Sequence, residues 1–378
     1  MMQLGLSSEN DALYRAALCG AHEVRFRVEL LNLSGEPVSE LTARLLSGQV
    51  DVDFAADTTR RCSLVLLDRD QDLGLDAGDA NYAANYASRQ VRVFYEVTSP
   101  ALPWVSCPIF TGPITSLSRN GAEVSLVCQG KEFFTNRPGF KVKSWPKGML
   151  KVDALRGLLA FFGETHFSME PAGEKLTSAV QLGAYSNPWL VARGLARSMG
   201  MELFYDGWGR AKVVRPTSSP AWRFRGGSGG SIVGAAPELS YSVDEACNTV
   251  RVVGAPPKGR ATPATATVTA PASHPLSPDK MARGNVPTIL GRLVENDQIV
   301  SDAAAKKLAE AELRNALMYS IDMSFDALPV PFLEPFDMVT VETRDYVFDM
   351  QMATFTIPLA AGSTMSVGKK YLVRGVKR

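Results

Sequence analysis

The acidic segment 68–79 carries residue types at a spacing that could bind a metal ion. Its sequence, DRDQDLGLDAGD, places four aspartates at positions 1, 3, 5 and 12 of a calcium-loop spacing: Asp68, Asp70, Asp72 and Asp79. Calcium, a hard cation, needs several oxygen ligands of this kind. Leu73, however, stands where the sharp turn requires glycine, and the last position is aspartate instead of the longer glutamate. Calcium is therefore the one candidate cofactor, and a solvated acidic loop is the interpretation that we favour.

The GGSGG segment and the three histidines are the remaining candidates for catalysis, but neither has the surroundings that catalysis needs. Segment 226–230 reads GGSGG and matches the G-x-S-x-G nucleophile pattern, which works only on a tight strand-to-helix turn. No helix is expected after it, so a flexible loop is the better interpretation. The three histidines are widely separated, and none stands in a zinc-binding spacing: His22, His166 and His274. We therefore predict no catalytic residues and no enzyme.

Composition narrows the class of protein. A chain of 378 residues is too long for one compact core, so two to four domains are expected. The net charge of +1 lacks the basic excess of a dedicated nucleic-acid binder. The five cysteines are scattered, which indicates reduced thiols and synthesis in a cytoplasm. We recognise no secretory signal and no apolar run of about 18 residues, and so expect no stable membrane insertion.

The residues before 131 form mostly strands. A short helix is expected over 9–22, and six or more strand-like runs follow between residues 24 and 130. Asn120-Gly121 separates two of these runs, and both residues tolerate positive φ, which is a strong hairpin signal. Repeated strands with turns between them indicate an all-β barrel or sandwich over 1–130.

The pattern changes after residue 130. Helical patterns at 151–163 and 186–200, with a hairpin at 202–214, indicate a small α+β domain over 131–215. Beyond it we expect a linker with the first strands of a second β domain over 216–254. An insert that ends in an Ala-rich helix follows over 255–318, and the remaining strands of the second β domain lie over 319–378. The predicted fold class is mainly β with an α+β insert, in which two antiparallel barrel or sandwich domains flank the α+β domain.

The order of these segments resembles the central hub of a phage tail tip or baseplate, a family related to the spike hubs of injection machines. The resemblance runs from about residue 13 to 374 and is carried by several segments in order: ALYRAALCGAH leading into VRFRVELL, RRCSLVLLD, GPITSLSRNGAEVSLVCQG, PWLVARGLARSMGMELFYDGWGRAKV, CNTVRVVG, and the helix–strand pair ending in FDMVTV. It implies two tube-type β domains, over 20–130 and over 237–254 with 319–378, and an outer α+β domain.

The resemblance also implies a function. Three copies would form a pseudo-sixfold ring at the end of a tail, particularly a non-contractile one. The expected partners are the other copies of a homotrimer, the distal tail protein, the tape measure protein, and tip or fibre proteins. DNA would pass through the channel without sequence-specific binding, and the protein would reside in the virion at the tail tip. The alternatives are a tail-associated peptidoglycan hydrolase and a calcium-dependent adhesin that uses 68–79.

Overall fold

The computed structural model describes residues 2–69, 85–227, 229–241, 246–318, 321–368 and 371–377. Within them the helices are α1 Ser8–Cys19, α2 Lys151–Phe161, α3 Pro188–Arg197 and α4 Asp302–Met318. The first seven strands are β1 Glu23–Asn32, β2 Pro37–Glu40, β3 Leu45–Asp53, β4 Arg60–Leu67, β5 Arg89–Ser99, β6 Leu102–Asn120 and β7 Glu123–Gln129. We name β1–β7 the first β unit.

Five short strands follow: β8 Lys143–Trp145, β9 Phe167–Met169, β10 Val180–Leu182, β11 Glu202–Tyr205 and β12 Ala211–Val214. The remaining strands are β13 Pro220–Arg225, β14 Ile232–Tyr241, β15 Thr249–Gly254, β16 Thr265–Thr269, β17 Gly291–Asn296, β18 Ile321–Ala327, β19 Met338–Glu342, β20 Tyr346–Gln351, β21 Thr354–Pro358, β22 Met365–Gly368 and β23 Tyr371–Lys377. The predicted mainly-β fold class with an α+β insert is confirmed.

Two layers of four strands build the first β unit. One layer has the order β3-β4-β7-β6 and the other the order β6-β5-β1-β2, so the 19-residue strand β6 belongs to both. Residues 102–113 of β6 pair with β5, and residues 114–120 pair with β7. Gly121 has a φ of 61° in the two-residue turn Gly121-Ala122 between β6 and β7, one residue later than the predicted Asn120-Gly121 turn, because Asn120 pairs with Glu123. Apolar residues alternate along β4 and β7, so one face of each strand is buried.

The second β unit repeats this plan with different strands. One layer has the order β14-β18-β22-β21 and the other the order β13-β19-β20-β23. A single apolar cluster contains core residues of both units, from Val50 and Leu64 to Phe325 and Phe355. The two β units are therefore packed together and are not separated by a flexible linker.

A separate core forms the α+β domain. Helices α2 and α3 pack beside the β11–β12 hairpin, to which β9 adds in parallel. The Asn187 side chain caps α3 by accepting a hydrogen bond from Leu190 N at 3.2 Å, and Pro188 occupies the first helical position. Trp189 is buried and stacks on Tyr205 at a centroid distance of 5.5 Å.

The structure differs from the sequence-based assignment at 249–254. We expected this strand in the second β domain, but β15 lies between β16 and β17 in a small sheet of its own. Helix α4 covers that sheet with small buried residues such as Ala305 and Ala309, against Val250 and Val252 of β15. The partners of β15 come from the Pro/Ala/Thr-rich insert, whose composition obscures its strands.

Candidate functional surface

Eight consecutive strands form a continuous antiparallel surface across the two β units. Their order is β14-β18-β22-β21-β3-β4-β7-β6, so two groups of four strands meet where β21 pairs with β3. Thr354 lies opposite Asp53 at this seam, and Thr356 Oγ1 donates a hydrogen bond to Asp51 Oδ1 at 2.7 Å. The seam therefore joins the two units through main-chain and side-chain hydrogen bonds.

Both outer edges of this surface are open in the described part of the chain. Strand β14 pairs with β18 on one side, and its other side has no partner strand among the described residues. The same holds for residues 115–120 of β6, which pair with β7 alone among those residues. Because every neighbouring pair from β14 to β6 is antiparallel and the strands number eight, the two edge strands run in opposite directions. Open edges of this kind are sites of strand addition.

One face of the eight-stranded surface is buried against the core, and the opposite face carries polar side chains. We name the latter the polar face; its polar members are Gln49, Asp51, Asp53, Arg61, Ser63, Ser116, Ser118, Asn120, Glu123, Ser125, Gln129, Glu238, Ser240, Ser324, Asp326, Thr354, Thr356 and Ser366. They include five carboxylates but one guanidinium, that of Arg61. Such a face repels phosphate instead of binding it.

A buried ionic cluster joins the two β units to the α+β domain at one end of the polar face. Arg60 of β4 donates from Nη1 to Ile109 O at 2.9 Å and from Nε to Tyr205 O at 3.3 Å. Its Nη2 lies 4.0 Å from Glu334 Oε1, and Glu334 also pairs with Lys212 of β12. Arg60 and Glu334 are 2% and 0% exposed, so breaking this cluster would leave an uncompensated buried charge.

Glu132 lies in the same junction and has an unusual environment. Its Oε1 accepts hydrogen bonds from Thr59 N at 3.3 Å and Tyr205 N at 3.4 Å. Burial raises the pKa of the Glu132 carboxyl, and these hydrogen bonds partly oppose the increase. This carboxyl therefore costs the folded state free energy when it is ionised.

The turn between β11 and β12 inserts into the first β unit. Thr111 Oγ1 donates a hydrogen bond to Gly207 O at 2.8 Å. Trp208 is half-buried and meets Phe94 edge-to-face at a centroid distance of 5.8 Å, while the Arg92 guanidinium lies 5.7 Å from its ring. Sequence reasoning missed this contact because nothing in the turn indicates which surface it packs against.

Of the four calcium candidates, Asp68 lies within the described residues. Asp70, Asp72 and Asp79 lie outside them. Asp68 is fully buried; its Oδ1 accepts from Arg44 Nη1 at 2.9 Å and its Oδ2 from Arg119 Nη2 at 2.7 Å. Two guanidinium groups thus compete with any cation for these oxygens. The described residues contain no cluster of three or more potential metal ligands, and calcium binding stays a prediction.

The other sequence candidates are not brought together. Ser228 of the GGSGG segment lies outside the described residues, and the segment connects β13 to β14, which are both strands. His22 follows α1, His166 lies in the α+β domain and His274 lies in the insert. Within the described ranges, no helix has the length and apolarity needed to cross a bilayer.

Solved structures with similar folds include tail proteins. The tail protein from Neisseria meningitidis MC58 aligns with a TM-score of 0.62 and 14% identity, over 92% of this chain and 96% of its own. The 43 kDa tail protein of prophage MuSo2 from Shewanella oneidensis aligns with a TM-score of 0.60 and 11% identity, over 92% and 98%. The chain has the fold of phage tail proteins. The predicted resemblance is thus confirmed at the level of the fold.

A third protein with this tail-protein fold is prophage tail protein gp18 from Listeria monocytogenes EGD-e. It aligns with a TM-score of 0.53 and 10% identity, over 91% of this chain and 94% of its own. Comparison with protein-family models and with curated proteins finds no match. The likeness lies in the arrangement of strands, because at these identities few side chains are shared.

Proposed function

We propose that this protein is the structural hub of a phage tail tip. Its two β units, each with two four-stranded layers, would give a homotrimer six similar units around one axis. Such a ring would adapt a sixfold tail tube to a threefold tip. The observation that carries the proposal is the eight-stranded antiparallel surface with an open strand at each end.

Ring formation would satisfy both open edges. The β14 edge of one copy would pair with residues 115–120 of β6 in the next copy, and three such contacts would close one barrel. Since the two edge strands run in opposite directions, this contact would be antiparallel, like every other contact in the surface. Closure in a ring removes the exposed edges that otherwise promote aggregation.

In this ring the polar face would line the channel. The five carboxylates and one arginine of the described part of this face would oppose the binding of DNA phosphates, so DNA and the tape measure protein could move through without being retained. The ring would contact the distal tail protein at one end and tip or fibre proteins at the other. The protein would therefore reside in the virion, at the tail tip.

Light scattering combined with negative-stain imaging of the purified chain tests this proposal. We expect the mass of three copies and particles with an open centre. A monodisperse monomer that stays monomeric when mixed with the distal tail protein would contradict it.

Variants at the edges give a sharper test. Ser118 and Ser240 lie on the polar face at the β6 edge and the β14 edge, so Ser118→Glu combined with Ser240→Glu adds a charge to each edge strand and opposes strand addition there. We expect the trimer to dissociate more readily. Ser63→Glu is the matched control, because Ser63 lies on the same face in the interior strand β4. Equal effects of the edge and interior variants would exclude this interface.

We propose a structural role without catalysis. The competing peptidoglycan hydrolase is tested by zymography on cell walls with the purified full-length chain. We expect no clearing. Clearing that is lost when one carboxylate is replaced would overturn the structural assignment.

A further inference from the structure

A two-stranded ribbon in the α+β domain carries an exposed pair of aromatic rings. Its strands β8 and β10 are antiparallel, and Lys143 lies opposite Leu182. The same register continues to Phe140 and Tyr185, whose rings meet edge-to-face at a centroid distance of 6.2 Å. Phe140 and Tyr185 are therefore a cross-strand pair on one face of the ribbon.

The face that carries these rings is the exposed one. Phe140 and Tyr185 are the most exposed large apolar side chains of the described residues, at 82% and 79%, and Val142, on the same side of the ribbon, is 69% exposed. We name these three residues the apolar face. Exposed apolar side chains grouped in this way are typical of a surface that binds another molecule.

The opposite face of the ribbon lies over the domain core and carries two lysines. Trp145 and Leu182 are buried on this side. Lys141 Nζ donates a hydrogen bond to Phe161 O, at the end of α2, at 3.3 Å. Lys143 Nζ lies 4.6 Å from the centre of the Phe161 ring. The usual arrangement is thus reversed, because the lysines lie against the domain while the large apolar side chains face the solvent.

Hydrogen bonds hold the backbone beneath the apolar face. Gly139 N donates to Ser186 O at 3.0 Å, and a Cβ atom on Gly139 would lie 3.2 Å from Phe162 Cζ, so the ribbon packs closely against the end of α2. Ser186 N donates to Gly183 O at 3.1 Å, and Gly183 N donates to Ser186 Oγ at 3.0 Å, which closes the turn that contains Tyr185. A ligand would therefore meet a preformed surface, which lowers the entropic cost of binding.

The two segments that build the ribbon are basic. Neither residues 133–150 nor residues 175–200 contain an aspartate or a glutamate. The first of these segments contains four basic residues, all of them exposed: Arg137, Lys141, Lys143 and Lys147. Charge complementarity therefore favours an acidic ligand.

Strand β8 also has an open edge, since it pairs with β10 alone among the described residues. We propose that this edge and the apolar face bind an extended segment of a partner protein in which apolar and acidic residues alternate. Successive side chains of an added strand point to opposite faces. The apolar side chains of the partner would lie beside Phe140 and Val142, and its carboxylates beside Lys141 and Lys143. The inference does not depend on the proposed ring, because the ribbon is complete within one copy.

A single-stranded nucleic acid is the competing ligand for a surface with aromatic and basic residues. Its bases stack on the flat faces of aromatic side chains. The rings of Phe140 and Tyr185 are inclined at 81° to each other and present no common plane. A nucleic acid also cannot form the ladder of main-chain hydrogen bonds that an open strand edge offers. Both observations favour a polypeptide.

Fluorescence anisotropy with the full chain and a labelled peptide of the sequence Asp-Leu-Asp-Phe-Asp-Leu-Asp tests this inference. Three comparison ligands are used: a peptide of the same composition with its aspartates in one block, the peptide with lysine in place of aspartate, and oligothymidine. We expect the alternating acidic peptide to bind with a Kd below about 1 mM that increases with salt concentration. The comparison ligands should bind at least about tenfold more weakly. No binding of the alternating peptide at about 1 mM, or equal binding of any comparison ligand, would overturn the inference.

Variants of the chain locate the binding surface. Phe140→Ser combined with Tyr185→Ser removes both rings, and since the side chains are exposed we expect an unchanged melting temperature. Binding of the alternating peptide should weaken by about tenfold or more, because exposed aromatic anchors contribute most to such contacts. The matched control is Val286→Ser with Ile289→Ser, two side chains of the insert that are 69% and 64% exposed. Unchanged binding in the aromatic variant, or equal weakening in the control, would overturn the inference.

A charge reversal tests the lysines separately. Lys143→Glu should weaken binding of the alternating peptide and reduce its salt dependence, whereas Lys258→Glu, at an exposed position between β15 and β16, should leave both unchanged. Equal effects of the two reversals would contradict the proposed contact. Light scattering of the chain without peptide supplies a further check. If Phe140→Ser with Tyr185→Ser changed the mass of the particle, the apolar face would join copies of this chain, and the inference would be overturned.

Discussion

Replacing Gly207 by alanine tests whether the β11–β12 turn fixes the α+β domain to the first β unit. A Cβ atom on Gly207 would lie 2.0 Å from Pro108 O, 2.8 Å from Pro108 C and 2.9 Å from Met2 Cε. The first two atoms belong to the backbone of β6. Residues before and after Pro108 are paired with β5, so the β6 backbone cannot shift without disturbing that pairing. The turn must therefore retract by about 1 Å or more to reach ordinary contact distances.

The expected cost follows from two terms. Overpacking of a tightly filled contact costs about 1–3 kcal/mol. Retraction also lengthens the 2.8 Å hydrogen bond from Thr111 Oγ1 to Gly207 O, which is worth about 1 kcal/mol. We expect Gly207→Ala to weaken the docking of the α+β domain by about 2–4 kcal/mol in total.

Hydrogen exchange is the suitable assay, because a chain with several cores need not unfold in one step. We expect faster exchange at Asp206, Gly209 and the β11–β12 amides of Gly207→Ala, while the seam between β21 and β3 stays protected. The matched control is Gly194→Ala, since Gly194 lies within α3 and a Cβ there meets nothing within 4 Å. That change should be neutral or stabilising by up to about 1 kcal/mol. Equal exchange in the two variants would refute the docking argument.

Three further changes test the junction and the base of the acidic segment. Burial raises the pKa of Glu132, so the free energy of unfolding of the wild type should fall as the pH rises from the usual carboxyl range to the raised pKa of the folded state. Urea unfolding at a series of pH values should show a smaller fall for Glu132→Gln. Asp68→Ala leaves two arginines without their buried carboxylate and should cost about 2 kcal/mol or more, measured by the urea midpoint. Calcium and chelator should give the same melting temperature, because the Asp68 oxygens already bind guanidinium groups; an increase with calcium would restore the calcium-loop hypothesis.

The sequence predicted local elements well where short-range physics decides them. The hairpin between β6 and β7 occurs as expected, although its turn is Gly121-Ala122, one residue later than predicted, because Asn120 pairs with Glu123. Helix α3 begins with the Asn187 cap and Pro188, and α4 begins with a cap at Ser301, whose Oγ accepts from Ala304 N at 3.2 Å; both are local signals of a helix start. These features depend on residues within one turn of each other, so their sequence signals are direct.

Long-range relations were not predictable in the same way. Alternation along β3 and β4 shows that each strand has a polar side, but the strand order decides that these sides join into one continuous face. The dual role of β6 depends on register shifts at Phe94 and Ser116, for which the sequence gives no separate signal. The strand order therefore shows what the sequence alone does not: Asp51, Glu123 and Asp326 lie on the same side and make the polar face acidic.

The seam between β21 and β3 explains why the proposed ring would need three copies and not six. In each copy the seam joins two similar β units that belong to the same chain. Because the two units are covalently linked, their pairing does not depend on the presence of other copies. The β14 edge and the β6 edge have no such covalent link and would pair only when other copies are present. Alternating intrachain and intersubunit contacts would thus give a wall of six similar β units with threefold symmetry.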